Sequence, residues 1–149
     1  MGLAEYQTGG HAKYDIKYHL VWITKYRYKI LQGEVAERAR ELIRQRCQLR
    51  EVQIVRGAVS AEHVQMLVSA PPHLAPSKLV QYIQGRSSRR LQDEFPHLRK
   101  WYWGQRLCGR GYFCATVGSV DEQAVRECIE GQTWDEDVEG FRVVATESP

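Results

Sequence analysis

The stretch Val59-Ser60-Ala61-Glu62-His63-Val64-Gln65-Met66-Leu67-Val68-Ser69 carries the side chains best suited to chemistry. It alternates, and in a β-strand alternate side chains point to one face. His63, Gln65 and Leu67 therefore share one face, and Val64, Met66 and Val68 share the other. An imidazole and a carboxamide side by side on a rigid surface can both ligate a metal ion, while the apolar run seats that surface on a core. A half-buried strand with an incidental polar pair fits the same pattern.

The elements that must hold this pair can be read from their apolar periodicity. Tyr14 to Thr24 is rich in Tyr, Ile, Leu, Val and Trp, and its centre Tyr18-His19-Leu20-Val21-Trp22 is apolar on both faces. That predicts a central strand rather than an edge. The basic run Lys25-Tyr26-Arg27-Tyr28-Lys29 follows it. Gly33 opens a predicted helix to about Arg50, with Val35, Ala39, Leu42, Ile43 and Cys47 along one stripe. Val52 to Val59 and Glu62 to Ser69 read as two strands of a hairpin. Pro71, Pro72 and Pro76 end the sheet segment and set a helix start at Ser77, after which Leu79, Ile83, Ser87, Leu91 and Phe95 recur every four residues. Trp101-Tyr102-Trp103 to Arg110 is aromatic and basic and reads as a loop. Tyr112 to Val117 reads as a fourth strand and Val120 to Gln132 as a short helix. From Thr133 the chain is acidic, without a firm pattern.

This order, β-α-β-β-α-β-α, predicts an α+β fold: a ferredoxin-like (RRM-like) antiparallel sheet of four or five strands with helices on one side. A chain of 149 residues is one ordinary domain with one sizeable core. A loose lead-in over 1–12, a domain over 13–132 and an acidic tail over 133–149 are expected. No apolar run approaches membrane-spanning length, and no signal-peptide pattern opens the chain. The cysteines Cys47, Cys108, Cys114 and Cys128 are scattered, as in a cytoplasmic protein with reduced thiols.

The net charge of +3 conceals an uneven distribution. Lys78, Arg86, Arg89, Arg90, Arg99, Lys100, Arg106 and Arg110 face only Asp93 and Glu94 between 78 and 110, whereas the chain from Ser119 onward carries two arginines against nine acids. The middle of the chain suits a polyanion and the end does not. Trp101, Tyr102 and Trp103 interleave with the basic residues, and aromatic rings offer stacking faces to unpaired bases. A solvated basic helix is the competing account.

Taken together, several blocks resemble the HUH-type single-tyrosine transposases of the insertion sequence 200/605 family. Lys17-Tyr18-His19-Leu20-Val21-Trp22 with Lys25-Tyr26-Arg27 resembles the family's first strand. Glu62 to Val68 followed by Pro71-Pro72 resembles its metal-site strand, and Tyr82-Ile83-Gln84-Gly85-Arg86-Ser87-Ser88 the helix after it. Arg110-Gly111-Tyr112 with Thr116-Val117-Gly118 resembles its last strand, and Ile129 to Gln132 its catalytic helix. The likeness spans roughly residues 13 to 132.

The resemblance implies a small homodimer, an HUH-endonuclease fold and recognition of hairpins in single-stranded DNA at insertion-sequence ends. It implies a divalent metal, Mg²⁺ or Mn²⁺, on His63, Gln65 and Gln132, polarising the scissile phosphate. It also implies a tyrosine that attacks this phosphate, on a helix that typically packs against the partner subunit. DNA contacts are expected from Lys78, Arg86, Arg89, Arg90, Arg99, Lys100, Trp101, Tyr102, Trp103 and Arg106. Two positions depart from the family pattern. Gln65 replaces the second motif histidine, and its amide oxygen is a competent but weaker ligand for cations that prefer oxygen. Cys128 replaces the tyrosine, and the nearby Glu122, Glu127 and Glu130 disfavour a thiolate. DNA binding with cleavage lost or impaired follows, with an inactive, domesticated hairpin-binding regulator or partner subunit as the alternative.

Overall fold

The computed structural model describes residues 7–9, 12–102, 108–118, 121–130 and 141–143. Gln7–Gly9 (β1) and Ala12–Tyr14 (β2) form a small antiparallel ribbon, so part of the expected lead-in carries backbone structure. The main sheet comprises Lys17–Thr24 (β3), Gln53–Val59 (β4), His63–Ser69 (β5), Cys108–Thr116 (β6) and Phe141–Val143 (β7), in the order β6-β3-β5-β4-β7. The helices are Gly33–Leu49 (α1), Pro76–Glu94 (α2), His97–Tyr102 (α3) and Glu122–Glu130 (α4).

β3 pairs on both sides, antiparallel to β5 and to β6, as its two-sided apolar character requires. Its even positions Leu20 and Trp22, with Val64, Met66 and Val68 of β5, are buried in the main core beneath α1 and α2. All five stripe residues of α1 named from the sequence are buried, as are Leu79, Ile83, Ser87 and Leu91 of α2. Gly33 begins α1 at φ +56°, a left-handed entry that glycine adopts without cost.

Three expectations need correction. The helices do not lie on one side only, because α4 packs on the opposite sheet face, where Ile129 is fully buried with Ala58, Leu67 and Val117. The aromatic–basic segment is not all loop: Trp101 and Tyr102 end α3, and β6 already begins at Cys108, opposite Thr24. Finally, Phe141–Val143 is a strand parallel to β4. Phe141 and Val143 are almost fully buried in the main core, so three residues of a polar, acidic segment join the sheet where alternation is too short to be read.

Among the described residues, no helix is long and apolar enough to cross a membrane.

Candidate functional site

The register of β3 against β5 decides which side chains meet. Ile23 lies opposite His63, Val21 opposite Gln65 and His19 opposite Leu67. Directly opposed residues share a face, so His63 and Gln65 share theirs with His19, Val21 and Ile23. This is the face that α4 covers. The predicted pairing of His63 and Gln65 on one face, away from Val64, Met66 and Val68, is what the sheet shows.

His19 belongs to this face and was not singled out from the sequence. Its Nε2 lies 3.3 Å from Gln65 Oε1. An amide oxygen can only accept, so with this orientation the imidazole donates, leaving the oxygen a second lone pair. On its other side His19 meets the Phe113 ring edge-on, with centroids 5.7 Å apart and planes at 76°. The alternation of β3 could have placed His19 beside Val21. Only the strand register could place it beside Gln65.

His63 is half-buried, and its pKa is pushed below the usual histidine value by that burial, with Arg27 adding to the effect and Glu62 opposing it. Its neutral ring, the form that ligates metal, is therefore favoured. His63, Gln65 and His19 offer two imidazoles and an amide oxygen on one sheet face. Among the described residues no three His, Cys, Asp or Glu side chains cluster to hold a metal. Gln132, the expected third ligand, lies outside the described residues.

α4 places Cys128 next to the buried Ile129, but Cys128 itself is exposed. A helix of this length does not hold itself together in water, so its position depends on docking. Ile129 provides the apolar anchor, and ion pairs provide one clamp near each end. Lys17 Nζ of β3 reaches Glu122 Oε1 at 3.0 Å and also binds Asp15. Arg56 Nε of β4 donates to Glu130 Oε1 at 2.6 Å. Burial alone would lower the Lys17 pKa, but hydrogen bonds to Asp15 and Glu122 outweigh it and leave the value raised. Of the three acids expected to crowd Cys128, Glu122 and Glu130 are thus engaged with cations, and Glu127 accepts from Gln123 Nε2 at 3.2 Å.

The basic surface lies on the other layer. Lys78, Arg86, Arg89 and Arg90 are exposed along α2, and at ~100° per residue they fall within an arc of roughly 120°. Arg90 lies 3.7 Å from Glu94, and Arg99 donates to Asp93 at 2.6 Å, so both are partly neutralised within the chain. Lys78, Arg86, Arg89 and Lys100 are exposed and form no ion pair among the described residues. Trp101 and Tyr102 sit on α3, while Trp103 and Arg106 lie outside the described residues.

Comparison with known proteins agrees with this architecture. The family described as "Transposase IS200 like" matches residues 12–132. The chain is 31% identical over 128 residues to the ISDra2 transposase TnpA of Deinococcus radiodurans, covering 86% of this chain and 91% of that one. It is 32% identical over 108 residues to the transposase for insertion sequence element IS200 of Salmonella typhimurium, covering 72% and 71% of the two chains. A crystal structure of a candidate transposase from Deinococcus radiodurans R1 superposes with a TM-score of 0.69 at 30% identity, over 84% of this chain and 96% of that one. A REP-associated tyrosine transposase bound to a REP hairpin shares the fold alone, with a TM-score of 0.56 at 11% identity over 83% and 69%. With a family match across most of its length and relatives at this identity, the chain belongs to the IS200-like transposases.

Proposed function

We propose that this protein binds hairpin single-stranded DNA of insertion-sequence ends and that its strand-cleaving step is lost or crippled. The carrying observation is the sheet face that gathers His63 and Gln65 beneath a helix whose expected tyrosine position is the exposed Cys128. The fold neighbour bound to a REP hairpin supports a hairpin as the DNA partner.

The donors present fit a hard divalent cation. The Gln65 amide oxygen and the His63 imidazole stand on one face, and the hydrogen bond to His19 restrains the amide. Mg²⁺ or Mn²⁺ would be held by His63, Gln65 and Gln132, and it would supply charge neutralisation at a bound phosphate. The chain's own part is to orient that phosphate against α4. Attack by a cysteine there would break the bond from phosphorus to the 3′ oxygen, release a 3′-hydroxyl and leave a phosphorothiolate ester instead of a phosphotyrosine. That is a poorer intermediate for rejoining, which is why the step is read as lost or crippled. The protein acts as a homodimer in the cytoplasm, and Lys78, Arg86, Arg89, Arg90, Arg99, Lys100 and the aromatics Trp101 to Trp103 contact the hairpin. The substitution at Cys128 also favours a second reading, a domesticated hairpin-binding regulator or partner subunit. That protein would bind without cutting even when both departures are reversed.

The test is gel-shift and nicking on hairpins taken from the DNA flanking the coding sequence. Binding is expected to weaken steeply as salt rises. Arg86→Glu with Arg89→Glu should abolish it without changing the melting temperature. Unchanged binding in that variant would place the DNA on another face, and metal-dependent nicking by the unaltered chain would refute the loss of cleavage.

A further inference from the structure

Beyond Thr24 the chain turns over the end of the sheet in a conformation that side chains other than glycine's avoid. Tyr26 and Arg27 stand in succession at φ 64° and 55°. Such strain persists only where the surroundings over-determine it, and it concentrates at ligand-binding segments. Here the restraints are explicit. The Thr24 N–H donates to the Glu62 carbonyl at 2.8 Å and the Leu31 N–H to the Ala61 carbonyl at 2.9 Å, tying both ends of the segment to the loop before β5. Across the turn, the Thr24 hydroxyl donates to the Tyr28 carbonyl at 2.7 Å. Because Ile23 is paired with His63, the turn leaves the sheet beside the first residue of the candidate metal pair.

The turn walls an open groove of about 550 Å³, with Gly111, Tyr112 and Phe113 of β6 lining it as well. Of the four large apolar side chains exposed among the described residues, three line this groove: Tyr26 at 65%, Phe113 at 54% and Tyr112 at 39%. Among the described residues its charged lining side chains are Lys25 and Arg27, with no acid beside them. The Tyr26 ring is steadied by Lys25 Nζ, 5.2 Å from its centroid, and by the Tyr28 ring at 5.4 Å. Arg27 is exposed and forms no ion pair among the described residues. Flat apolar faces with cations at the rim match an unpaired base joined to a phosphate.

We propose that this groove is a subsite for an unpaired nucleotide flanking the phosphate at His63 and Gln65, with its aromatic lining against the base and Arg27 on the backbone. The strained turn is what fixes Arg27 there in advance of binding. The subsite is separate from the basic outer arc of α2, so hairpin and flank are gripped by different surfaces. The proposal rests on reading the His63–Gln65 face as a DNA site.

The experiment compares three labelled probes in buffer with chelator: a hairpin from the flanking DNA carrying an oligo(dT) flank, the same hairpin without it, and the oligo(dT) alone. The unaltered chain should bind the flanked hairpin about tenfold more tightly than the bare one, the order expected for stacking one base. Tyr26→Ala and Arg27→Ala should each erode that gain and leave bare-hairpin affinity unchanged. Replacing both residues with glycine should raise the melting temperature, because the left-handed strain is relieved, while removing the flank gain altogether. Equal affinity of the unaltered chain for flanked and bare hairpins would overturn the subsite and leave hairpin binding intact. A flank gain that survives in the variants would also overturn it, and a simultaneous change in their sedimentation would assign the groove to a second copy of the chain. Binding of flanked probe and oligo(dT) without bare hairpin would keep the subsite and sink the hairpin reading. No binding of any probe would end both.

Discussion

Lys17, at the first position of β3, holds Glu122, the first residue of α4, at 3.0 Å while itself only 9% exposed. Glu122 is in turn held by Arg126 Nη2 at 2.7 Å, one helical turn on. Although burial would raise its pKa, hydrogen bonds from Lys17 and Arg126 keep the Glu122 carboxyl below the usual range. The helix that carries Cys128 is thereby fastened to the strand that carries His19.

Breaking this clamp should loosen α4 more than it weakens the fold. Lys17→Met leaves Glu122 without its sheet partner and is expected to cost about 1–3 kcal/mol by urea unfolding. Amide exchange should accelerate in 122–130 and remain slow in β3 and β5. Arg56→Met acts on the exposed pair with Glu130 and should cost under ~1 kcal/mol. Uniform acceleration across the sheet in Lys17→Met would mean that the pair supports the domain rather than the helix.

Gly57 leaves no room for a side chain. A Cβ there would come within 2.5 Å of the Phe141 ring, whose own side chain is 1% exposed. Gly57→Ala should therefore displace β7 and destabilise the protein by about 1–3 kcal/mol, the range for an overpacked core. Pairing it with Phe141→Leu should recover part of the loss. An unchanged melting temperature in Gly57→Ala would show that β7 does not sit beside β4 in solution.

Acid should weaken the protein through His63. Its folded-state pKa lies below the ordinary 6.5, so the unfolded chain binds more protons. The corresponding stability is complete above roughly pH 6.5 and is lost as pH falls through the folded value. Urea midpoints should begin to drop as pH falls below about 6.5, and His63→Gln should flatten that slope. Glu122, also shifted down, contributes a separate loss below its ordinary 4.5. A slope unchanged by His63→Gln would assign the first window to another group.

The chemistry at Cys128 can be separated from its exposure. Iodoacetamide should label the exposed Cys128 and spare Cys47, whose thiol burial pushes to a pKa of about 12. The unaltered chain should form no covalent adduct with labelled hairpin DNA in a denaturing gel. Because the position is exposed, Cys128→Tyr fits without repacking and should restore an adduct with Mn²⁺ or Mg²⁺, increased further by Gln65→His. An adduct from the unaltered chain would show a working nucleophile, and silence from the double variant would favour the regulator reading.

Much of this protein was legible in its residues. The alternation through His63–Ser69 fixes which side chains share a face and which point the other way, because the strand period leaves no choice. The four-residue recurrence from Leu79 to Leu91 likewise dictates the buried face of α2. The identities of Gln65 and Cys128 are also plain in the sequence, and their reading as departures from a family pattern rests on the resemblance. What tertiary structure decided were relations across strands and between layers. No local pattern sets the β3–β5 register, so His19 beside Gln65 was out of reach, as was the seating of Phe141 over Gly57. The seating of α4 goes with ion pairs from Lys17 to Glu122 and from Arg56 to Glu130, partners far apart in the chain that no local pattern brings together. The strained turn at Tyr26 and Arg27 carries no glycine to announce it. It exists because hydrogen bonds from Thr24 and Leu31 to the loop before β5 hold it, and those form only once the sheet has folded.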